Sequence, residues 1–425
     1  MTLFVTVLFW GLLVYFFAKS VLRQDREWRL VFLAGMLLKI LAGIGVGLVY
    51  TYYYTSGDTF GFFEDAQVLD AAIQKNPWGY FDFLLNGDRF SEWAAGLANL
   101  QPRSLFLVKN LSLVARVSFG NYWLSSIFFS LVSFLGCWYA VKKFALHFPA
   151  GKWAAAIAFL FVPSFVFWGS GIIKESLSVG ALMFLAGIAV GVACHGKSKP
   201  WEWMVAAIAV LYLWNLKYYW AALFVPAATT TLLMARVIVP LAHLHHKVFE
   251  KVLWAMLFGF TILLASRIHP NFYLGRFLEV LVDNHYAYAD ASASGLLVHF
   301  NDLRASWGSV LLNSPWALFS GLFRPFVWEA NTVFQIAVAI ENLVLLILCA
   351  YNLKYFLRAW NSPAHLLLAG ALAYICLLAV FLTLSTPNFG TLSRYRIGFL
   401  PFLFFILLYS PVQVVFKQGG QNKIG

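Results

Sequence analysis

The chain has 425 residues, of which 61% are hydrophobic and only 11% charged, and its mean hydropathy is +0.76. Soluble domains average about 45–50% apolar and about 25% charged residues, so a soluble globular enzyme is excluded. The net charge is +12, yet no Lys/Arg run is interleaved with aromatics on a soluble face, which argues against a nucleic-acid partner.

A hydrocarbon core about 30 Å thick needs roughly 20 apolar residues per helical crossing. Windows of that kind predict an all-α polytopic membrane protein with about 11 transmembrane helices (10–13), at 3–18, 30–54, 121–141, 153–171, 172–194, 203–216, 219–234, 252–266, 331–350, 365–384 and 398–415. The first stretch, MTLFVTVLFWGLLVYFFAKS, lacks a basic leader and a small-residue cleavage site, and reads as a retained helix. Two long segments, 55–120 and 267–330, are aromatic-rich and mixed in charge, and are too polar or too broken by Pro and Gly to cross. Interfacial or re-entrant helices are expected there. No run of about 100 polar residues remains for a separate soluble domain, so residues 1–425 read as a single integral membrane domain without an inverted repeat. Cys137, Cys194, Cys349 and Cys376 fall in or at the ends of apolar segments and read as small core residues.

Orientation follows from Lys and Arg in short loops. An external N-terminus puts 16 of the 30 basic residues in the cytoplasmic loops, including Lys19, Arg23, Lys142, Lys143, Lys247 and Lys354, and makes the C-terminus cytoplasmic. The two long segments are then external. Lys39 and Glu341 are left inside spans.

Seven of the 18 acidic residues lie between positions 58 and 92. Asp58 follows YTYYYTSG at the membrane boundary, where a carboxylate beside aromatic rings suits a general base for an acceptor hydroxyl; a helix cap is the structural alternative. Glu64 and Asp65 continue this acidic wall, and either of them with Asp58 could hold a divalent cation. In PSFVFWGSGIIKESLSVGAL the apolar stretch is twice a span long, so it must turn near Gly169–Gly171 and place Lys174 and Glu175 at the outer boundary. Such charges are functional candidates, or else a snorkelling pair. Lys217 is one more cation on this side. Arg394 and Arg396 in SRYRIGFLP sit at the mouth of the last span, where two cations can grip a phosphate. Arg324 either contacts lipid phosphate or pairs with Glu329. HLHH (His243, His245, His246) reads as an interfacial polar helix rather than a metal cluster. Phosphate-loop, dinucleotide, nucleophile-elbow and zincin motifs are absent from the sequence.

Asp58-x3-Phe62-x3-Ala66 after an early span, the Pro-aromatic-Trp hairpin ending in Lys174-Glu175, and Arg394-Tyr-Arg396 followed by Pro401 together resemble the GT-C superfamily of membrane glycosyltransferases. The likeness is to its protein-mannosyltransferase and aminoarabinose-transferase groups, over the general layout of most of the chain. It implies a GT-C-like fold in a bacterial inner membrane and a sugar donor carried on a polyprenyl phosphate. It also implies an active site facing the periplasm and a lipid, glycan or protein acceptor. Carried over by motif, Asp58 would be the base of an inverting transfer, and Arg394 and Arg396 would hold the donor phosphate. Lys174 and Glu175 have a looser counterpart. Here Asp58 follows the second predicted span rather than the first, and Phe62 stands where the family usually carries Tyr.

Two other classes remain open on the residues. A glycan polymerase or ligase would depend on external Arg or His but tolerate loss of Asp58. A transporter or flippase for lipid-linked sugars would place charges near the bilayer midplane between broken helices.

Overall fold

The structure, a computed structural model, describes residues 2–54, 58–73, 75–196, 198–292 and 297–409, with the side chains of Thr2, Asp58, Leu274, Leu357 and Arg358 outside the description. In chain order the helices are α1 (Thr2–Leu22), α2 (Arg26–Tyr52), α3 (Asp58–Ile73), α4 (Pro77–Asn86), α5 (Pro102–Val117), α6 (Tyr122–His147), α7 (Lys152–Leu160), α8 (Pro163–Trp168), α9 (Lys174–His195) and α10 (Pro200–Leu233). They continue with the single turn α11 (Val239–Leu241), α12 (Lys247–Ala265), α13 (Leu274–Asp290), α14 (Trp307–Phe323), α15 (Val333–Trp360), α16 (His365–Ser385), α17 (Phe389–Tyr395) and α18 (Leu400–Tyr409). Among the described residues there is no strand, only an isolated β-bridge between Leu297 and Asn388.

Among the described residues, eight helices are long and apolar enough to cross a membrane: α1, α2, α6, α9, α10, α12, α15 and α16. The pair α17–α18, bent by 64°, makes a ninth if it is one span. The protein is thus all-α and polytopic, as its hydropathy predicts. Two of the expected windows, 203–216 and 219–234, lie in α10, which is two helices joined at a kink: Lys217, between the windows, leaves helical geometry at φ −141° and ψ 63°, although WNLKYYW holds no Gly or Pro to announce the break. The window 153–171 divides into α7 and α8, where Pro163 opens the second piece.

The chain forms two compact units. One comprises Met1–Tyr139, Phe165–Phe184 and Ala206–Tyr218; the other comprises Ala140–Ser164, Leu185–Val205 and Tyr219–Gly425. In the first, α3, α4 and α5 build a small helical layer over a core that includes Phe62, Ala66, Tyr80, Phe83, Leu107 and Leu111. None of these three helices qualifies as a span. Asn76 caps α4 by accepting from the Gly79 N–H at 2.9 Å, with Pro77 at the first helical position. Tyr80 Oη and Ser112 Oγ share a 2.7 Å bond, Arg116 pairs with Asp70 at 3.0 Å, and Lys109 donates to the Gly87 carbonyl at 2.6 Å beyond the end of α4. Burial lowers the Lys109 pKa, with Asp88 opposing it. Where α6 meets α9, a Cβ on Gly136 would come within 2.0 Å of the Gly180 carbonyl oxygen, so this close approach requires glycine.

In the second unit α16 is the hub, packing on α12, α13, α14, α15 and α17. Asn352 on α15 donates to the Leu407 carbonyl at 3.0 Å, and Lys143 pairs with Glu202 at 2.8 Å. The loop before α14 is pinned by the Val298 N–H on the Pro387 carbonyl at 2.9 Å. Of the four free cysteines, Cys137 is buried as expected of a core residue, whereas Cys194 is exposed.

Candidate functional site

In the first unit, the turn predicted near Gly169–Gly171 is present. Helix α8 ends at Trp168, Gly171 adopts φ +77°, and α9 starts at Lys174. The Gly171 N–H donates to Ser130 Oγ at 3.0 Å, and Ser133 Oγ donates to the Gly169 carbonyl at 2.6 Å, so α6 holds the bend. Lys39 supports the same bend: its ammonium is fully buried, donates to the Gly169 carbonyl (2.8 Å) and Ser133 Oγ (3.2 Å), and stands 5.0 Å from the Phe165 ring.

The bend sets Lys174 and Glu175 in the first turn of α9. Lys174 Nζ donates to Ser104 Oγ at 2.9 Å and lies 5.0 Å from the centre of the Phe62 ring. Glu175, favoured at a helix N-terminus, accepts from Lys217 Nζ at 2.7 Å, with side-chain exposures of 0% and 3%. Lys217 reaches it from the break in α10, and the next residue, Tyr218, has the Arg103 guanidinium 5.4 Å over its ring. Three sequence-predicted residues, Lys174, Glu175 and Lys217, are therefore brought together with Phe62, which the motif had named, and with Arg103 and Ser104, which the sequence had not singled out.

The acidic residues of α3 separate by helix face. Glu64 is exposed, whereas Asp65 is buried and accepts from the Ala98 N–H (2.9 Å), the Asn99 N–H (2.8 Å) and Asn99 Nδ2 (2.9 Å), which ties the 98–99 loop to α3. Asp58 opens α3, but its side chain lies outside the described residues. Among the described residues no group of three or more His, Cys, Asp or Glu side chains could hold a metal ion. Near HLHH, Glu250 is engaged by His365 Nε2 at 2.9 Å.

In the second unit, Asn388 caps α17 by accepting from the Thr391 N–H at 3.1 Å. Arg394 is half-buried in its last turn, and Arg396 opens the 3-10 turn that follows. Gly398 of that turn accepts from Tyr374 Oη at 3.0 Å, midway along α16.

Arg396 is fully buried. Its Nη2 donates to Glu341 Oε1 at 3.3 Å, while the same carboxylate accepts more closely from Ser164 Oγ (2.5 Å) and the Ser164 N–H (2.9 Å). Nε and Nη1 of Arg396 have no hydrogen-bond partner among the described residues. A buried guanidinium with idle donors is costly unless something anionic meets it. The neighbouring Asn342 donates to the Pro325 carbonyl at 2.9 Å, next to Arg324. Arg324 pairs with Glu329, with Nε at 3.0 and 3.1 Å from its two oxygens, and lies 5.3 Å from the Trp316 ring and 5.0 Å from that of Phe389, the first residue of α17. Burial pushes the Glu329 carboxyl up, but the hydrogen bonds from Arg324 and the Phe326 N–H, with the Arg324 charge, outweigh it and hold the carboxyl below its ordinary value.

Glu341 was visible as an acid within an apolar span, but Ser164 carried no signal. The one clue to the Glu341–Arg396 contact was the need of a buried acid for a base at similar depth. No protein-family model, curated protein or solved structure matches the chain.

Proposed function

We propose that the protein is an integral-membrane glycosyltransferase that moves a sugar from a polyprenyl-phosphate carrier to a lipid, glycan or protein acceptor on the external face. The observation that carries this reading is Arg396, a fully buried guanidinium whose Nε and Nη1 are idle beside the Glu341 carboxylate. Its planar fork suits a phosphate oxygen, and in a water-poor setting it would stabilise the charge that develops on the carrier phosphate as the glycosyl bond breaks. Arg394 supplies a second cation to that phosphate. Lys174 and Lys217 belong to the acceptor side in this reading, with Glu175 fixing Lys217. Asp58 takes the proton of the acceptor hydroxyl as that oxygen attacks the anomeric carbon, and the single displacement inverts the configuration.

The reading takes eleven crossings: α10 counts as two, on either side of Lys217, α7–α8 as one broken span, and α17–α18 as the last. The N-terminus is then external, the C-terminus cytoplasmic and the site periplasmic in a bacterial inner membrane. A divalent cation near Asp58 remains compatible with the chemistry.

The test is transfer from radiolabelled polyprenyl-phosphate sugars to endogenous acceptors in right-side-out and inverted vesicles, with wild type and Asp58→Asn matched for expression. Loss of a general base is expected to lower transfer about 10²–10⁴-fold. Unchanged transfer removes Asp58 from the mechanism, and no transfer from any donor overturns the reading. A transporter for lipid-linked sugars is the second reading, favoured by the fully buried Lys39 and the helix break at Lys217. It predicts donor movement across the vesicle membrane without covalent transfer.

A further inference from the structure

An apolar groove of about 170 Å³ lies within the second unit. Small residues open it, with Ala186, Ala189, Ala227, Ala228, Gly370 and Ala371 along its wall and Phe402 and Phe405 facing it. Two hydroxyls on its wall are already engaged: Thr231 Oγ1 accepts from Trp254 Nε1 at 3.0 Å, and Tyr374 Oη donates to the Gly398 carbonyl at 3.0 Å. A polar guest would lose its hydration there for little return, whereas hydrocarbon would not. A cavity of about 150 Å³ takes a benzene-sized guest, so this groove suits a short stretch of one acyl chain rather than a long carrier tail.

Cations stand beside the lining at one end of the groove, on carbonyls next to lining residues. That end is edged by Ala359, Ser362 and Ala364 between α15 and α16. There Lys247 Nζ donates to the Asn361 carbonyl at 2.7 Å, and Lys251 Nζ donates to the Trp360 carbonyl at 3.2 Å and lies 4.5 Å from the Trp360 ring. Two residues beyond Val190, which lines the wall, the Val192 carbonyl accepts from Arg236 Nε at 2.8 Å. All three cations rest on carbonyls, and among the described residues none has a carboxylate partner. The nearby acids are committed elsewhere, Glu250 to His365 and Glu202 to Lys143.

We propose that this groove binds an anionic glycerophospholipid, with an acyl chain among the alanines and the phosphate on Lys247, Lys251 and Arg236. Basic pockets between transmembrane helices are suited to anionic headgroups. The phosphate end of the site is separate from Arg396, although the inner wall of the groove reaches Tyr374, which bonds the turn that carries Arg396. The turn carrying Arg396 meets α16 at Tyr374, nine residues from His365 or about 14 Å of helix, beyond the reach of a phosphate at that end. The inference rests on the chain being a membrane protein and not on glycosyl transfer.

The full-length protein in neutral detergent is offered phosphatidylglycerol or phosphatidylcholine with identical acyl chains, and retained lipid is read by native mass spectrometry. Phosphatidylglycerol is expected to be retained about ten-fold better. That preference is expected to fall about five-fold for each of Lys247→Gln and Lys251→Gln, and Ala371→Phe, which fills the groove, is expected to release both lipids. Equal retention of the two lipids by wild type overturns the proposal, as does an undiminished preference in the double lysine variant. Displacement of phosphatidylglycerol by equimolar polyprenyl phosphate assigns the groove to the carrier and also overturns it. The wild-type comparison decides the matter even if a variant fails to fold, and failure of the transfer assay leaves this result untouched.

Discussion

In the first unit the Glu175 carboxylate and the Lys217 ammonium meet at 2.7 Å with almost no exposure, whereas in the second the Glu341 carboxylate meets Arg396 at 3.3 Å and is held more closely by Ser164. Both pairs are acid and base inside a membrane protein, and both sit beside a helix break, at Lys217 and at the α17–α18 bend. The difference lies in what each cation has left to offer. Glu175 receives the Lys217 charge directly, and the pair fixes the irregular backbone at Lys217. Arg396 gives one nitrogen to a carboxylate already satisfied by a serine, and its Nε and Nη1 stay idle. A tight buried pair builds a framework, while a loose one leaves directed donors for a ligand.

Removing Glu175 is expected to have the largest effect on stability. Glu175→Ala leaves Lys217 buried without its acid, and truncating one partner of a buried pair costs about 3–5 kcal/mol. Thermal unfolding in detergent should show this loss, and the double variant Glu175→Leu/Lys217→Met should recover most of it, because the charge to be compensated is then gone. Wild-type stability in the single variant would remove the framework role. The converse case is Arg396→Lys, which keeps a positive charge for Glu341 but loses the fork that bears Nε and Nη1. Transfer is expected to fall about 10²-fold, with thermal stability nearly unchanged. If instead stability collapsed and the residual activity per folded molecule were normal, Arg396 would belong with the framework and not with a ligand.

Hydropathy made the polytopic all-helical architecture legible, because span length and apolar content are local properties. The turn at Gly169–Gly171 was legible for the same reason: an apolar stretch of twice the span length has to reverse. The grouping of Lys174, Glu175 and Lys217 was only partly readable. Loop charges led to the expectation that the three share one side, but the 2.7 Å contact of Glu175 with Lys217 depends on the break in α10, which no Gly or Pro announces. Asp65 looked like one more acid of a wall; its burial, and the three donors that the 98–99 loop aims at it, are tertiary facts. Ser164 was invisible because a serine at a helix start is ordinary, and only its distance from Glu341 gives it a role.

The smallest expected effect concerns the third acid–base pair, Arg324–Glu329, which is less buried than the other two, with side-chain exposures of 12% and 18%. The Glu329 carboxyl is held below its ordinary value of 4.5. A carboxyl with a depressed folded pKa contributes stability that is fully present above its unfolded pKa and is lost as pH falls through the folded one. Wild type should therefore keep a constant advantage over Glu329→Gln from neutral pH down to about pH 5, and lose it below roughly pH 4. The glutamine variant lacks this titration and keeps only neutral hydrogen bonds to Arg324 and the Phe326 N–H, so the two unfolding curves should converge on acidification. Melting temperatures taken from pH 7 to pH 3 in one detergent measure this directly. A gap that persists to pH 3 would mean that the shape of the Arg324 pocket, enclosed by Trp316 and Phe389, matters more than the Glu329 charge.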